Sequence, residues 1–187
     1  GSHIQNVINS GLPIVFFDRV CDDVTAAKVV TDDFESCYMA TKHLVNKGCS
    51  NISYFSISKN LSINKKREEG YTKALQDAGI AIDENNMLEC GPDDAANFTN
   101  ILNHLKNKNR PDGIIASVEK LVPPVYIACN KLSLRIPDDI KVISFTNLAT
   151  SPILNPPLTT ITQPAFEMGS KAASLLFKGI EKPAFNL

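Results

Sequence analysis

The stretch Ile136–Pro164 reads IPDDIKVISFTNLATSPILNPPLTTITQP, and its reading decides the fold. Ile136-Pro-Asp-Asp closes off a helix. Ile140 to Phe145 is a short apolar run, long enough for a buried strand. Thr146 and Asn147 follow at its carboxyl end, where open parallel α/β sheets place ligands. After a proline-punctuated loop, Leu158-Thr-Thr-Ile-Thr supplies β-branched residues in strand alternation. Pro164 suits the first position of a helix, where its missing N–H costs nothing.

Working outward, the rest of the chain repeats this strand–helix alternation. Leu12 to Phe17 is an apolar run ending at Asp18-Arg19, read as a buried parallel strand. Val29-Val30-Thr31 is a second extended piece, and Asp32 or Asp33 caps a helix from Phe34 to Lys47 that Gly48 stops. Ile52 to Ser56 is a strand, and a polar loop (Ser58 to Ile63) leads to a helix over Asn64–Ala78 that ends at Gly79. A weak strand at Met87–Cys90 precedes a helix opened by Gly91-Pro-Asp-Asp. A strand at Ile114–Ser117 precedes a helix over Val122–Leu132, with Pro123 and Pro124 in its first turn. The last helix spans Ala165–Lys178, stopped by Gly179, with an unsettled end from Glu181. Strands that are solid apolar runs, joined by short loops through helices, imply an α/β fold: a doubly wound parallel sheet with helices on both faces.

Composition excludes several classes. The chain has 187 residues and a net charge of −1, which leaves no basic footprint for nucleic acid. No apolar run reaches the ~18 residues of a membrane span. Gly1-Ser2-His3 resembles the remnant of a cleaved tag and is set aside from fold reasoning. The five cysteines (Cys21, Cys37, Cys49, Cys90 and Cys129) are scattered and form no C-x-x-C, as expected of free thiols in a reducing cytoplasm. His43 and Cys49 are the nearest approach to a zinc pair, far short of a clustered ligand set. Nor is there a glycine-rich phosphate loop, a G-x-S-x-G elbow or an H-E-x-x-H motif. His43 and His104 lie on helices, away from strand ends, so no histidine base is well placed. The expectation is a binding domain with no catalytic residue, metal or cofactor.

What remains is a set of polar residues at strand carboxyl ends: Asp18, Glu119, Thr146, Asn147 and Gln163, with Arg67 in the first turns of the helix after the Ile52 strand. Topology brings such positions to one sheet edge. Carboxylate, guanidinium and amide groups converging there suit a polyhydroxylated ligand. Each also has a plainer reading, as a helix charge, a turn residue or a linker.

The text of the chain resembles the LacI/GalR family of bacterial transcription regulators in the domain that senses a small molecule. Pro13 to Arg19 resembles that family's "P.V.iDR", ATKHLVNKGCSNI from Ala40 its "A..hLi..Ghr.I", and Arg67 to Leu75 its "R..Gf..Al". The opening stretch and the helix after it resemble "iPeDisvvGfDd…PpLTTi.qp…lG..Aa..L". The resemblance implies a periplasmic-binding-protein type I fold. Residues 31–161 would form its C-terminal subdomain, and 1–30 with 162–187 an incomplete N-terminal subdomain. Thr162-Gln163 would then be a crossing between the two.

It further implies a cytoplasmic homodimer in which a sugar or sugar derivative binds between subdomains. Operator DNA would be bound only through a helix-turn-helix that this stretch lacks. Arg67 and Asp18 are nominated as pocket residues by their motifs. Two positions depart from the pattern. The family's "nD..A" is Val118-Glu119-Lys120-Leu121, and the first acid of "GfDd" is Thr146. A pocket so altered should suit a different sugar, or an acidic or modified one. Two alternatives stand beside this reading: a periplasmic sugar-binding protein on the same fold, and an enzyme on a flavodoxin-like sheet, where Asp22-Asp23 is similar to a phosphoacceptor pocket.

Overall fold

Seven strands and six helices alternate along the chain in the computed structural model, which describes residues 2–21, 23–58 and 61–181. Gly1, Asp22, residues 59–60 and the tail 182–187 lie outside the described residues, and with them the Asp22 reading and most of the unsettled end. Two units emerge: residues 1–32 with 164–187, and Asp33–Gln163.

In the smaller unit, α1 (Ser2–Asn9), β1 (Val15–Phe17), β2 (Ala27–Val29) and α6 (Ala165–Glu181) are the elements, and β1 pairs with β2 in parallel. Two expectations are corrected here, and one element is added. The added element is α1, for which no helix was expected before Leu12; its half-buried Ile4 and Ile8 stand one helical turn apart. The first strand, expected as a buried run from Leu12, is three residues long and only half-buried, with Phe17 57% exposed; Pro13, which has no N–H to pair, lies outside it. Gly179 does not stop α6, which runs two residues further; Gly179 is buried, and packing offsets the ~1 kcal/mol cost of glycine in a helix.

The larger unit is built on β3 (Ile52–Ser56), β4 (Met87–Glu89), β5 (Gly113–Ala116), β6 (Lys141–Phe145) and β7 (Thr159–Ile161), all parallel in the order β4-β3-β5-β6-β7. Side chains alternate across a strand, and here both faces are filled. Phe55, Ile114 and Val142 join Ile101 and Leu105 of α4 (Asp94–Lys106) and Val125 and Ala128 of α5 (Val122–Lys131). Their neighbours Tyr54, Ile115 and Ile143 join Ala40 and Leu44 of α2 (Asp33–Asn46) and Tyr71 and Leu75 of α3 (Ser62–Asp77). Each fully buried aliphatic side chain contributes about 1.5–3 kcal/mol. That two-sided burial is why these strands read as unbroken apolar runs.

Local signals set the helix ends. Asp93 caps α4 by accepting from the N–H groups of Ala95 and Ala96. Pro123 and Pro124 occupy the first turn of α5, as expected. Gly48 and Gly79 follow α2 and α3 with φ of +86° and +69°, the left-handed closure that glycine adopts most readily.

A polar chain, buried at Ser53 and Asn86 and reaching the surface at Asn51, ties the amino ends of β3 and β5 together. Ser53 Oγ lies 2.9 Å from His104 Nε2 and 3.1 Å from Asn86 Oδ1. Asn86 donates to Asn51, whose amide donates to the carbonyls of Asn109 and Arg110. Burial lowers the His104 pKa below the usual 6.5, against a smaller upward pull from Asp83. The unfolded chain therefore binds the proton more tightly than the folded one. Stability from this group is full above the unfolded pKa and declines as pH falls through the folded one. Denaturation midpoints are expected to fall between pH ~7.5 and pH ~5.5, and His104→Gln to flatten that slope.

Candidate functional site

In a sheet whose strand order reverses, ligands bind beyond the carboxyl ends where neighbouring crossovers diverge. From β3 the chain goes outward to β4, then returns to the other side for β5, so the switch point lies between β3 and β5. Arg67, in the second turn of α3, stands at it. Its Nε donates to Asp33 Oδ1 at 2.8 Å, Nη2 lies 2.7 Å from the same oxygen, and Nη1 donates to the Ser117 carbonyl just after β5. The Phe145 ring, at the end of β6, lies 3.9 Å from the guanidinium carbon. Four elements thus meet on one side chain, and Arg67 and Asp33 are 4% and 5% exposed. Such a burial of charge is tolerated because the partners are matched and hydrogen-bonded.

The second cluster lies one strand over. Glu119 opens a 3-10 turn after β5 (Glu119–Leu121) and is exposed. Thr146 Oγ1 donates to Glu119 Oε2 at 3.0 Å and accepts the Leu148 N–H at 2.9 Å, which uses its proton and one of its two lone pairs. Asn147 makes a clamp on Gln163: its Nδ2 donates to the Gln163 carbonyl and its Oδ1 accepts the Gln163 N–H, both at 2.8 Å. With the Thr146 N–H donating to Ile161 O, these bonds continue the β6–β7 pairing past its end.

The structure brings five of the six nominated residues to the carboxyl edge of the larger unit: Arg67, Glu119, Thr146, Asn147 and Gln163. Asp18 is in the smaller unit, at the carboxyl end of β1. Its φ is +60° and its N–H donates to Val29 O. A left-handed non-glycine residue is uncommon and, at a strand mouth, marks a site to examine. The sequence did not reveal Asp33 as the partner of Arg67, nor Phe145 and Ser117 as its seat. Asp33 stood out there only as a helix cap. Asn64 was also missed: it is buried in the first turn of α3 and donates to Ser58 O, while its Oδ1 has no partner.

Few nucleophiles are near. Cys37, beneath Arg67, has its thiol pushed up to about 12 by burial, despite the opposing guanidinium, and so is inert at neutral pH. Among the described residues no group of three or more His, Cys, Asp or Glu could hold a metal ion, and no helix is long and apolar enough to cross a membrane. A cavity of about 380 Å³, lined by Leu44, Pro137, Val142 and Thr159, lies at the amino ends of β6 and β7, opposite the polar edge. Convergent polar groups, rather than cavity volume, mark the site here.

Comparison with known proteins gives a consistent picture. Residues 41–186 match a family described as the periplasmic binding protein-like domain. The chain is 32% identical over 173 residues to the HTH-type transcriptional repressor PurR of Mannheimia succiniciproducens, covering 91% of this chain and 51% of the relative. It is 29% identical over 175 residues to the ribose operon repressor of Haemophilus influenzae, covering 94% and 53%. The chain thus spans about half the length of the curated relatives it matches. Among solved structures, a LacI family transcriptional regulator from Enterococcus faecium with bound ribose is 27% identical, with a TM-score of 0.85 over 96% of this chain and 66% of that one. A LacI family regulatory protein from Chloroflexus aggregans superposes with a TM-score of 0.89 at 24% identity over 96% and 65%, a likeness of fold alone.

Proposed function

Since the chain belongs to the periplasmic binding protein-like domain family, as the effector-binding domain of a LacI-type regulator, we propose that it senses a sugar or sugar derivative and so controls a DNA-binding segment. The observation that carries this reading is Arg67 at the switch point, flanked along the same edge by Glu119, Thr146, Asn147 and Gln163. Asp18 is the candidate of the smaller unit. The ribose seen in the Enterococcus faecium regulator supports a carbohydrate. The two similar repressors, PurR and the ribose operon repressor, support a regulator rather than an enzyme or a transport protein.

The proposed mechanism is a population shift. The effector favours one of two conformations by its difference in affinity for them, and that difference bounds the switch. In the same proposal the whole protein is a cytoplasmic homodimer, and operator DNA is contacted by a helix-turn-helix outside this chain. The test is a thermal-shift screen of sugars and sugar acids on the full-length regulator. A binding sugar is expected to raise the melting temperature with the logarithm of its concentration, since it binds the folded state only. If no sugar shifts the transition while operator binding is intact, the carbohydrate reading falls.

A further inference from the structure

We infer that the cavity at the amino ends of β6 and β7 is a second ligand site, and that it takes a small carboxylate with a flat apolar body, such as an aromatic monocarboxylic acid. It lies at the opposite end of the sheet from the polar edge, so it goes beyond the sugar-sensing reading and does not depend on it.

The cavity holds about 380 Å³, within the size range of small-molecule sites. Three of its lining residues belong to the core: Leu44 of α2, with Val142 and Ile143 of β6. Two proline-bearing segments, Ile136-Pro137 and Pro156-Pro157, add to the lining. Proline rings present apolar faces, bring no N–H and have a fixed φ. Pro156 is held in addition by its carbonyl, which accepts the Tyr126 hydroxyl at 3.1 Å. Such a wall is formed before a ligand arrives, which lowers the entropic cost of binding.

The ionisable side chains that line the cavity are His43, Lys47 and Lys141, and no acid joins them. Neither lysine is in a salt bridge among the described residues. The acids of the adjoining loops have other partners. Asp138 and Asp139 pair with Arg135, and Asp112 accepts the N–H groups of Ser50 and Asn51. Bases after a helix often meet its last carbonyls, but here backbone groups do so. Lys47 N–H donates to His43 O and Leu44 O, Gly48 N–H to Val45 O, and Cys49 N–H to Leu44 O. Two ammonium groups lining an apolar cavity without a counter-charge are complementary to an anion. The apolar lining favours an anion with a hydrophobic body over a bare inorganic one.

The test is calorimetric titration of the full-length regulator with benzoate, indole-3-acetate, benzamide and inorganic phosphate. Benzamide lacks the charge and phosphate lacks the apolar body. The two carboxylates are expected to bind at least about fivefold more tightly than either, and to weaken as sodium chloride is added. Lys47→Glu, at an exposed position, is expected to weaken the carboxylates by about fivefold or more. Thr159→Trp, at an exposed position on the lining, is expected to abolish their binding by filling the cavity. Equal affinity for benzoate and benzamide overturns the assignment, as does unchanged carboxylate affinity in Lys47→Glu. Absence of binding by both carboxylates overturns it too. Slow reaction of Lys47 with an amine-labelling reagent would then give the cavity to another segment of the protein or to a second copy. None of these outcomes bears on sugar sensing at the opposite edge.

Discussion

Gly70→Ala destabilises the larger unit by about 3 kcal/mol or more, at or above the top of the usual range for overpacking. The reason is where its new methyl group would go. A Cβ on Gly70 would sit 2.2 Å from the Phe34 carbonyl oxygen and 3.0 Å from the Tyr38 nitrogen, both backbone atoms of α2. A flexible side chain could swing away, but a helix backbone cannot. To accommodate one methyl group, α2 and α3 would have to separate along their whole contact, loosening Tyr71, Cys37 and Leu75 in the core beneath. Urea titration followed by circular dichroism measures the loss, since the chain has no tryptophan to report by fluorescence. Gly169→Ala is the contrast. Gly169 lies in α6, and a methyl group there would have nothing within 4 Å of it. The same change at that position is expected to add about 0.5–1 kcal/mol by helix propensity. Equal effects at the two positions would show that helix contact at Gly70 is not the cause.

Asp33→Ala is expected to cost about 3–5 kcal/mol, the price of leaving one member of a buried ion pair uncompensated. The side chains of Arg67 and Asp33 are 5% and 7% exposed, so solvent screens the pair little. Total domain stability is typically ~5–15 kcal/mol, so the larger unit would retain a marginal fold. The paired replacement Asp33→Leu with Arg67→Met should recover most of the loss, because it removes both charges and keeps apolar volume. It should also abolish effector binding, separating what the pair contributes to folding from what it contributes to the site. Stability of Asp33→Ala within about 1 kcal/mol of the natural protein, the level of an exposed pair, would contradict the burial of this pair.

The architecture was legible in the sequence wherever burial on both faces forced a pattern. Ile52–Ser56, Gly113–Ala116 and Lys141–Phe145 are apolar because α2 and α3 cover one side and α4 and α5 the other. Gly48 and Gly79 ended helices as read, since only a local φ was at issue. Gly179 and β1 went differently because tertiary packing and strand pairing, not local preference, decide them. At the site, periodicity located residues at strand ends but said nothing of their partners. That Asp33 faces Arg67 depends on how α2 crosses α3, 34 residues apart in sequence. The Thr146–Glu119 and Asn147–Gln163 bonds likewise join separate strand ends, and no spacing rule encodes them.

The clamp between Asn147 and Gln163 has a mechanical consequence. Gln163 is the last residue of the larger unit before the chain leaves it at Pro164. Asn147 grips the backbone of that residue, not its side chain, so the exit point inherits the stiffness of β6 and β7. Thr146, immediately before it in the chain, carries the bond to Glu119. Under the proposed function, a ligand held at this edge loads a linkage only two residues long, Thr146-Asn147, that ends on the backbone where the chain leaves the unit. The arm by which such a signal would leave this unit is therefore short, hydrogen-bonded at both ends and without slack.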